Sequence, residues 1–276
     1  MKSALMYFQI MRNSMRTAKA WKAAVVFQLI LRGVMLFATV SVWHALYESS
    51  GSSSPGAMVV TDSGNAVTLE DTVTYMVTAS VLHLMVFTGV IRILHQRIVT
   101  GDIALDLLKP ASTMLNYFFQ TAGESIVRVM TQALPFTALC LLAFHVKIPG
   151  LQNILLFFAS TALAMMLNFL IYYTFGLAGF WHLSVNHVDF FLRNLLGFFS
   201  GSIIPLWFFP GFLSRAAGFL PFKYIYHVPA SIFLGTFDAG ETAFSFAIQG
   251  LWIVLLLLLQ KLAWHFGTRK LVIQGG

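Results

Sequence analysis

His83 lies near the middle of a long apolar run, residues 72–94. An ionisable group inside a membrane segment is a candidate proton relay. No acid stands near it in sequence, so hydrogen-bonded packing within a helix bundle is the competing and simpler reading. His182, His187 and Asp189 are spaced closely enough to hold a metal ion, but a solvated inner loop is by far the simpler account of the same residues, and no Cys/His cluster has zinc spacing. Gly197 and Gly201 form a G-x-x-x-G in the run GFFSG, a pattern that lets helix backbones approach closely. Around it Phe198, Phe199, Phe208 and Phe209 offer an apolar lining for a path or for lipid contact. The single Cys140 sits in an apolar run and excludes an internal disulfide. No Gly-x4-Gly-Lys-Ser/Thr phosphate loop, H-E-x-x-H, G-x-S-x-G or paired-carboxylate motif is present, so the sequence offers no catalytic residues and no metal site.

The elements that position these residues follow from composition. Of 276 residues, 58% are hydrophobic and 10% charged, against roughly 25% charge in an average soluble domain. Soluble enzymes, disordered chains and disulfide scaffolds are thereby excluded. A membrane-crossing helix takes about 20 apolar residues. The pattern predicts an all-α polytopic membrane protein, a single permease-like domain over 1–276 with six transmembrane helices at 23–47, 72–94, 124–144, 152–180, 188–209 and 242–266. Arg32 interrupts the first span. Pro135 should kink the third, and Glu124–Arg128 and Asp189–Arg193 are i, i+4 pairs.

Residues 1–22 carry Arg12, Arg16 and Lys19 at i, i+4, i+7, one face of an amphipathic interfacial helix. A cleaved signal peptide fits less well, because the apolar run is too long and no clear cleavage site follows it. The Gly/Ser-rich stretch 48–71 has four acids and no Lys or Arg, and reads as a flexible outer loop. Residues 101–108 alternate polar and apolar types at helical spacing and are stopped by Lys109-Pro110, a short amphipathic helix. The stretch 210–240 is broken by Pro and Gly and reads as short helices in the outer leaflet, shielded by protein or water.

The net charge is +7. Orientation explains it better than nucleic acid does, because Lys and Arg collect on the cytoplasmic side. Only Lys147, Arg215 and Lys223 fall on the far side, and Arg32, Arg128 and Lys261 fall within span limits. All other basic residues lie on one side, which predicts both ends in the cytoplasm. No internal repeat is visible, which weighs against an inverted-repeat transporter.

Two stretches carry a resemblance: GDIALDLLKP (Gly101–Pro110), and the segment from Ser200 to Gly235 that includes SGSIIPLWFFP and LPFKYIYHVPASIFLG. Both resemble the permease subunits of bacterial type-2 ABC exporters, with their G-x-x-D-x-x-L-L-K/R-P loop and late P-F…P…F-L-G segment. Arg32 and the run WHALY fit the same branch. One departure is that Asp102 directly follows Gly101, so Asp102 and Asp106 receive no separate roles.

The resemblance implies an ATPase-coupling helix over Gly101, Asp102, Leu105, Leu107, Leu108, Lys109 and Pro110. It makes the N-terminal helix with Arg12, Arg16 and Lys19 an interfacial elbow. It puts Gly197, Phe198, Gly201 and Pro205 near the dimer interface and pathway, and Pro221, Phe222, Pro229 and Gly235 in outer-leaflet helices. It also implies a second permease, identical or related, and a cytoplasmic ABC ATPase that binds ATP and Mg, with no cofactor in this chain. The expected setting is the bacterial inner membrane. The expected function is ATP-driven export of an amphipathic or lipophilic cargo such as a peptide, lipid or drug-like compound. Ion-coupled secondary transport is the alternative, and it needs charged residues at the midplane.

Overall fold

A computed structural model describes residues 2–18, 22–49, 58–60, 66–108, 112–144, 146–181 and 186–270. Of the predicted site residues, Lys19, Lys109, Pro110 and His182 lie outside the described residues. The chain runs α1 (Lys2–Thr17), α2 (Lys22–Ser49), β1 (Met58–Val60), β2 (Ala66–Thr68), α3 (Leu69–Val86) and α4 (Val90–Val99). It continues with α5 (Ile103–Leu107), α6 (Thr113–Arg128), α7 (Leu134–Ala143), α8 (Leu151–Gly176) and α9 (Asn186–Phe199). The last elements are α10 (Gly211–Phe219), α11 (His227–Leu234) and α12 (Ala239–Thr268). The protein is an all-α membrane protein apart from one small hairpin. In that hairpin β1 and β2 pair antiparallel with Val59 opposite Val67, inside the stretch expected to be loop.

Among the described residues five helical segments are long and apolar enough to cross a membrane: Ala23–Ser49, Leu69–Val99, Thr113–Ala143, Leu151–Phe180 and Ala239–Thr268. The predicted span over 188–209 is not one helix. α9 has 14 residues, about 21 Å at 1.5 Å per residue, short of a hydrocarbon core of about 30 Å. Gly201 has φ +82°, in the left-handed region, and Pro205 has no N–H to continue the ladder. Gly197 and Gly201 therefore do not share a helix face. A side chain at Gly201 would place its Cβ 2.5 Å from Tyr75 Oη, so the glycine serves a close turn rather than a helix crossing.

Local chemistry accounts for the helix ends. Thr68 and Asp71 form a reciprocal capping box at the start of α3, and Asp238 and Glu241 do the same for α12. Gly235, at φ +72°, closes α11. There Thr236 N donates to Ser231 O and Gly235 N to Ile232 O, a Schellman ending. Just before Pro135 the third segment carries a π turn over Val129–Ala133, in which Leu134 N donates to Val129 O. The wider turn absorbs the donor that proline lacks. The third segment also starts earlier than the sequence indicates, at Thr113 rather than Glu124.

The core sits where α3, α4, α8 and α11 meet, around fully buried Tyr75, Leu82, Leu94, Leu167 and Ile225. α12 packs on α8, and α1 packs on α6. That second contact is backbone-close: a Cβ at Gly123 would lie 2.5 Å from Met11 O. Tyr7 adds a stack on Phe119 at 5.2 Å, and its Oη accepts a hydrogen bond from Ser112 N at 3.2 Å. Arg12 and Arg16 stay exposed. Gly123→Val should cost the α1–α6 contact roughly 1–3 kcal/mol through overpacking. Hydrogen exchange across residues 2–17 should then accelerate while α8 and α12 stay protected, and unchanged exchange in α1 would contradict the contact.

Candidate functional site

Three regions bring the predicted residues together. The first is α5 and its surroundings, at the end of the bundle where basic residues gather. Gly101 turns the chain at φ +80°, and five residues of helix follow. Ile103 and Asp106 stand at i, i+3 and face inward, both buried. Asp106 is 5% exposed. Its Oδ2 accepts a 2.6 Å hydrogen bond from Tyr117 Oη and lies 3.9 Å from Arg97 Nη1. A carboxylate thus fastens α5 to α6 and α4. The opposite face carries Leu105 and Leu108, both exposed, Leu108 at 81%, while Leu107 lies at the side of the helix and is 44% exposed. Leu105 and Leu108, held out on a fixed short helix, form an exposed apolar knob. The sequence treated Asp106 as having no role of its own; its buried direction is visible only once Tyr117 is in place.

The second region lies at a break in the second crossing helix. α3 ends at Val86, α4 begins at Val90, and the residues between are not helical. Backbone groups freed inside a bilayer must find partners. Val86 O accepts from Asn168 Nδ2 at 2.8 Å. Phe87 O accepts from Arg128 Nη1 at 2.8 Å, and Ser125 Oγ lies 3.5 Å from it. Arg128 therefore turns inward to the break. The Phe87 ring has the Arg128 guanidinium 4.8 Å and the Arg193 guanidinium 5.1 Å from its centroid, a cation–π arrangement. The predicted Asp189–Arg193 pair is present, with Arg193 Nε 2.9 Å from Asp189 Oδ1. Arg92 Nε joins at 3.2 Å from Oδ2. His83 Nδ1 lies 3.1 Å from Tyr226 Oη, so its ring joins α3 to the segment before α11. Gly197 lines a small cavity here beside His83, Asn168, Tyr172, Arg193 and Tyr226. This lining is more polar than the Phe-rich sequence suggests. Phe198 instead packs on Phe209, ring centroids 5.0 Å apart.

The third region is the broken stretch after α9. Pro205 is buried and precedes a short turn over Leu206–Phe208. α10 follows, then a tight turn over Pro221–Tyr224 with proline in its first position, then α11. Phe222 and Pro229 are buried. Tyr75 Oη donates to Gly201 O at 3.0 Å and lies 3.3 Å from His227 Nδ1. Gln249 Nε2 donates to Tyr224 O at 2.9 Å and reaches Ser160 Oγ at 3.2 Å. The stretch is thus pinned to α3, α8 and α12. Across the same end, Lys147 Nζ lies 2.7 Å from Asp71 Oδ1. That carboxylate raises the Lys147 pKa above its ordinary value. A cavity of about 550 Å³ opens there, lined by Asp71, Trp207, Lys223, His227 and Glu241 among others. No group of three or more His, Cys, Asp or Glu suited to a metal occurs among the described residues.

The family model described as ABC-2 family transporter protein matches residues 59–275, most of the chain. The chain belongs to the ABC-2 transporter family. No curated protein matches it. As an ABC-2 member it is a multi-pass membrane permease of an ABC transporter, and the family implies partnership with an ABC ATPase subunit. Its lack of a phosphate-binding loop suits that division of labour. Within the ABC-2 chain, Asp106 is the residue whose removal should loosen the knob. Asp106→Ala leaves the buried Tyr117 hydroxyl unsatisfied on that side and should cost about 1–3 kcal/mol locally. Exchange across residues 103–107 should quicken, and Asp106→Asn should restore most of the protection. Equal protection in all three proteins would refute the anchoring role.

Proposed function

We propose that this chain is one half of the membrane pathway of an ATP-driven exporter. A separate cytoplasmic ATPase binds ATP and Mg, docks on α5, and drives an amphipathic cargo outward. The observation that carries the reading is the exposed Leu105–Leu108 face on a helix held by buried Ile103 and Asp106. An exposed apolar cluster on a short fixed helix has the form of an anchor for a partner's pocket. The arrangement of the chain supports the rest. α1 is the elbow, both ends and α5 face the cytoplasm, and the short helices between Leu206 and Leu234 cap the far end. α9 and its following turn complete the sixth crossing. A second permease, identical or related, supplies the other wall on the side of exposed Phe198, whereas Gly201 and Pro205, buried within this chain, do not reach it. The setting is a bacterial plasma membrane.

The mechanism is mechanical. Closure of the ATPase pair displaces α5, and Asp106 passes the displacement to α6 through Tyr117 and to α4 through Arg97. Packed helices respond by switching between discrete arrangements. Gln249 and Tyr75 keep the far-end helices moving with α12, α8 and α3.

Leu108→Asp and Leu105→Asp should each remove about 2 kcal/mol or more of partner binding, roughly a 30-fold loss. The measurement is the amount of ATPase that copurifies with the full chain at equal permease yield. Full retention of the ATPase by both variants would overturn the docking assignment.

A further inference from the structure

Arg32 is half-buried on α2, ten residues past Lys22 and well inside the first crossing segment. It has no hydrogen bond or ion pair among the described residues. A charged side chain at that depth is costly without a partner. Arg32 lines a cavity of about 440 Å³ between α2 and α3, walled by Leu31, Met35, Leu36 and Met76. The hydroxyls in that wall are already committed: Thr39 donates to Met35 O, Ser80 to Met76 O and Ser202 to Gly197 O. Arg32 and Gln28 are therefore its free donors.

Ser202 also lines the smaller cavity at the helix break, where Arg193 stands. There Arg193 Nη2 is buried with no hydrogen-bond partner among the described residues. Arg32 lies within electrostatic reach of Arg128, His83 and Tyr226. The acids nearby are already shared. Asp189 serves Arg92 and Arg193, and Glu124 is the charge next to Arg128. Neither acid lines the Arg32 cavity.

We propose that this α2–α3 cavity binds the anionic head of an amphiphile, a phosphate or carboxylate, at Arg32 and Gln28, with its apolar tail along the Leu31–Met35 wall of α2. A bidentate guanidinium matches such a head. A small inorganic anion is disfavoured because it surrenders its hydration and gains nothing from the apolar wall. An amphiphile keeps its tail in hydrocarbon throughout. The inference deepens the exporter reading and rests on it for the identity of the cargo, but binding itself requires no ATPase. The head can belong to a resident phospholipid or to a cargo, and the two sources share this chemistry.

The test is equilibrium binding of a fluorescent single-chain alkyl phosphate to the full chain in neutral maltoside micelles. Dodecyl phosphate and dodecanoate should compete. Dodecyltrimethylammonium and inorganic phosphate should not. Arg32→Gln should weaken binding at least tenfold with unchanged thermal unfolding, and Arg32→Lys should recover part of it. Phosphatidylglycerol competing as well as dodecyl phosphate assigns the site to a membrane lipid, and its failure to compete assigns it to a single-chain cargo. Equal competition by the cationic detergent or by inorganic phosphate overturns the proposal. So does undiminished binding in Arg32→Gln, or a loss of oligomer in that variant, which would mean that Arg32 pairs with a second subunit. Loss of ATPase copurification in Leu108→Asp leaves these outcomes unchanged, so the two readings fail separately.

Discussion

A polar backbone group in hydrocarbon must be given a partner by the protein itself. That constraint is concentrated at Phe87, where the second crossing helix stops and restarts. The carbonyls of Val86 and Phe87 are taken by Asn168 from α8 and Arg128 from α6. Three crossing segments are therefore fastened at one point by hydrogen bonds rather than by apolar contact alone. The same point fixes Arg193 through the Phe87 ring. It lies close to His83, whose contact with Tyr226 ties in the far-end helices. Removing one polar partner here would loosen all three crossing segments at once.

Much of the architecture was legible in the sequence because it is local. Apolar runs located the five long segments to within a few residues, except at the start of the third. Gly101 and the alternating residues after it marked α5, and Gly235 and the prolines marked the broken stretch. The rest depends on contacts distant in sequence. Glu124–Arg128 read as an i, i+4 pair on one helix, yet Arg128 reaches a carbonyl at the break in another. Thr88-Gly89 offers cap chemistry beside Phe87, but the partners that permit the break are the distant Asn168 and Arg128. The run over 188–209 is apolar enough to cross a membrane, but the left-handed turn at Gly201 is set by Tyr75 and His227.

The low overall charge also concealed how the charges are placed. Residue counts describe a Phe-rich, charge-poor chain, and from them the pathway reads as apolar. In the fold, Phe190 and Phe191 point outward and are exposed, while Arg128 and Arg193 turn toward the helix break. Few charges concentrated in one place have more effect than many spread over a surface, because low-dielectric surroundings screen them poorly. Composition measures abundance, and the chemistry of this bundle depends on direction.

The glycine contact between α1 and α6 bears on the order in which the chain folds. Met11 meets Gly123 backbone to backbone, so α1 reaches its final packing only once α6 is in place to receive it. The two partners lie far apart in the chain, and the intervening helices must be laid down before the contact can close. Its formation is therefore a late event in folding, although α1 itself is a local element that can form early.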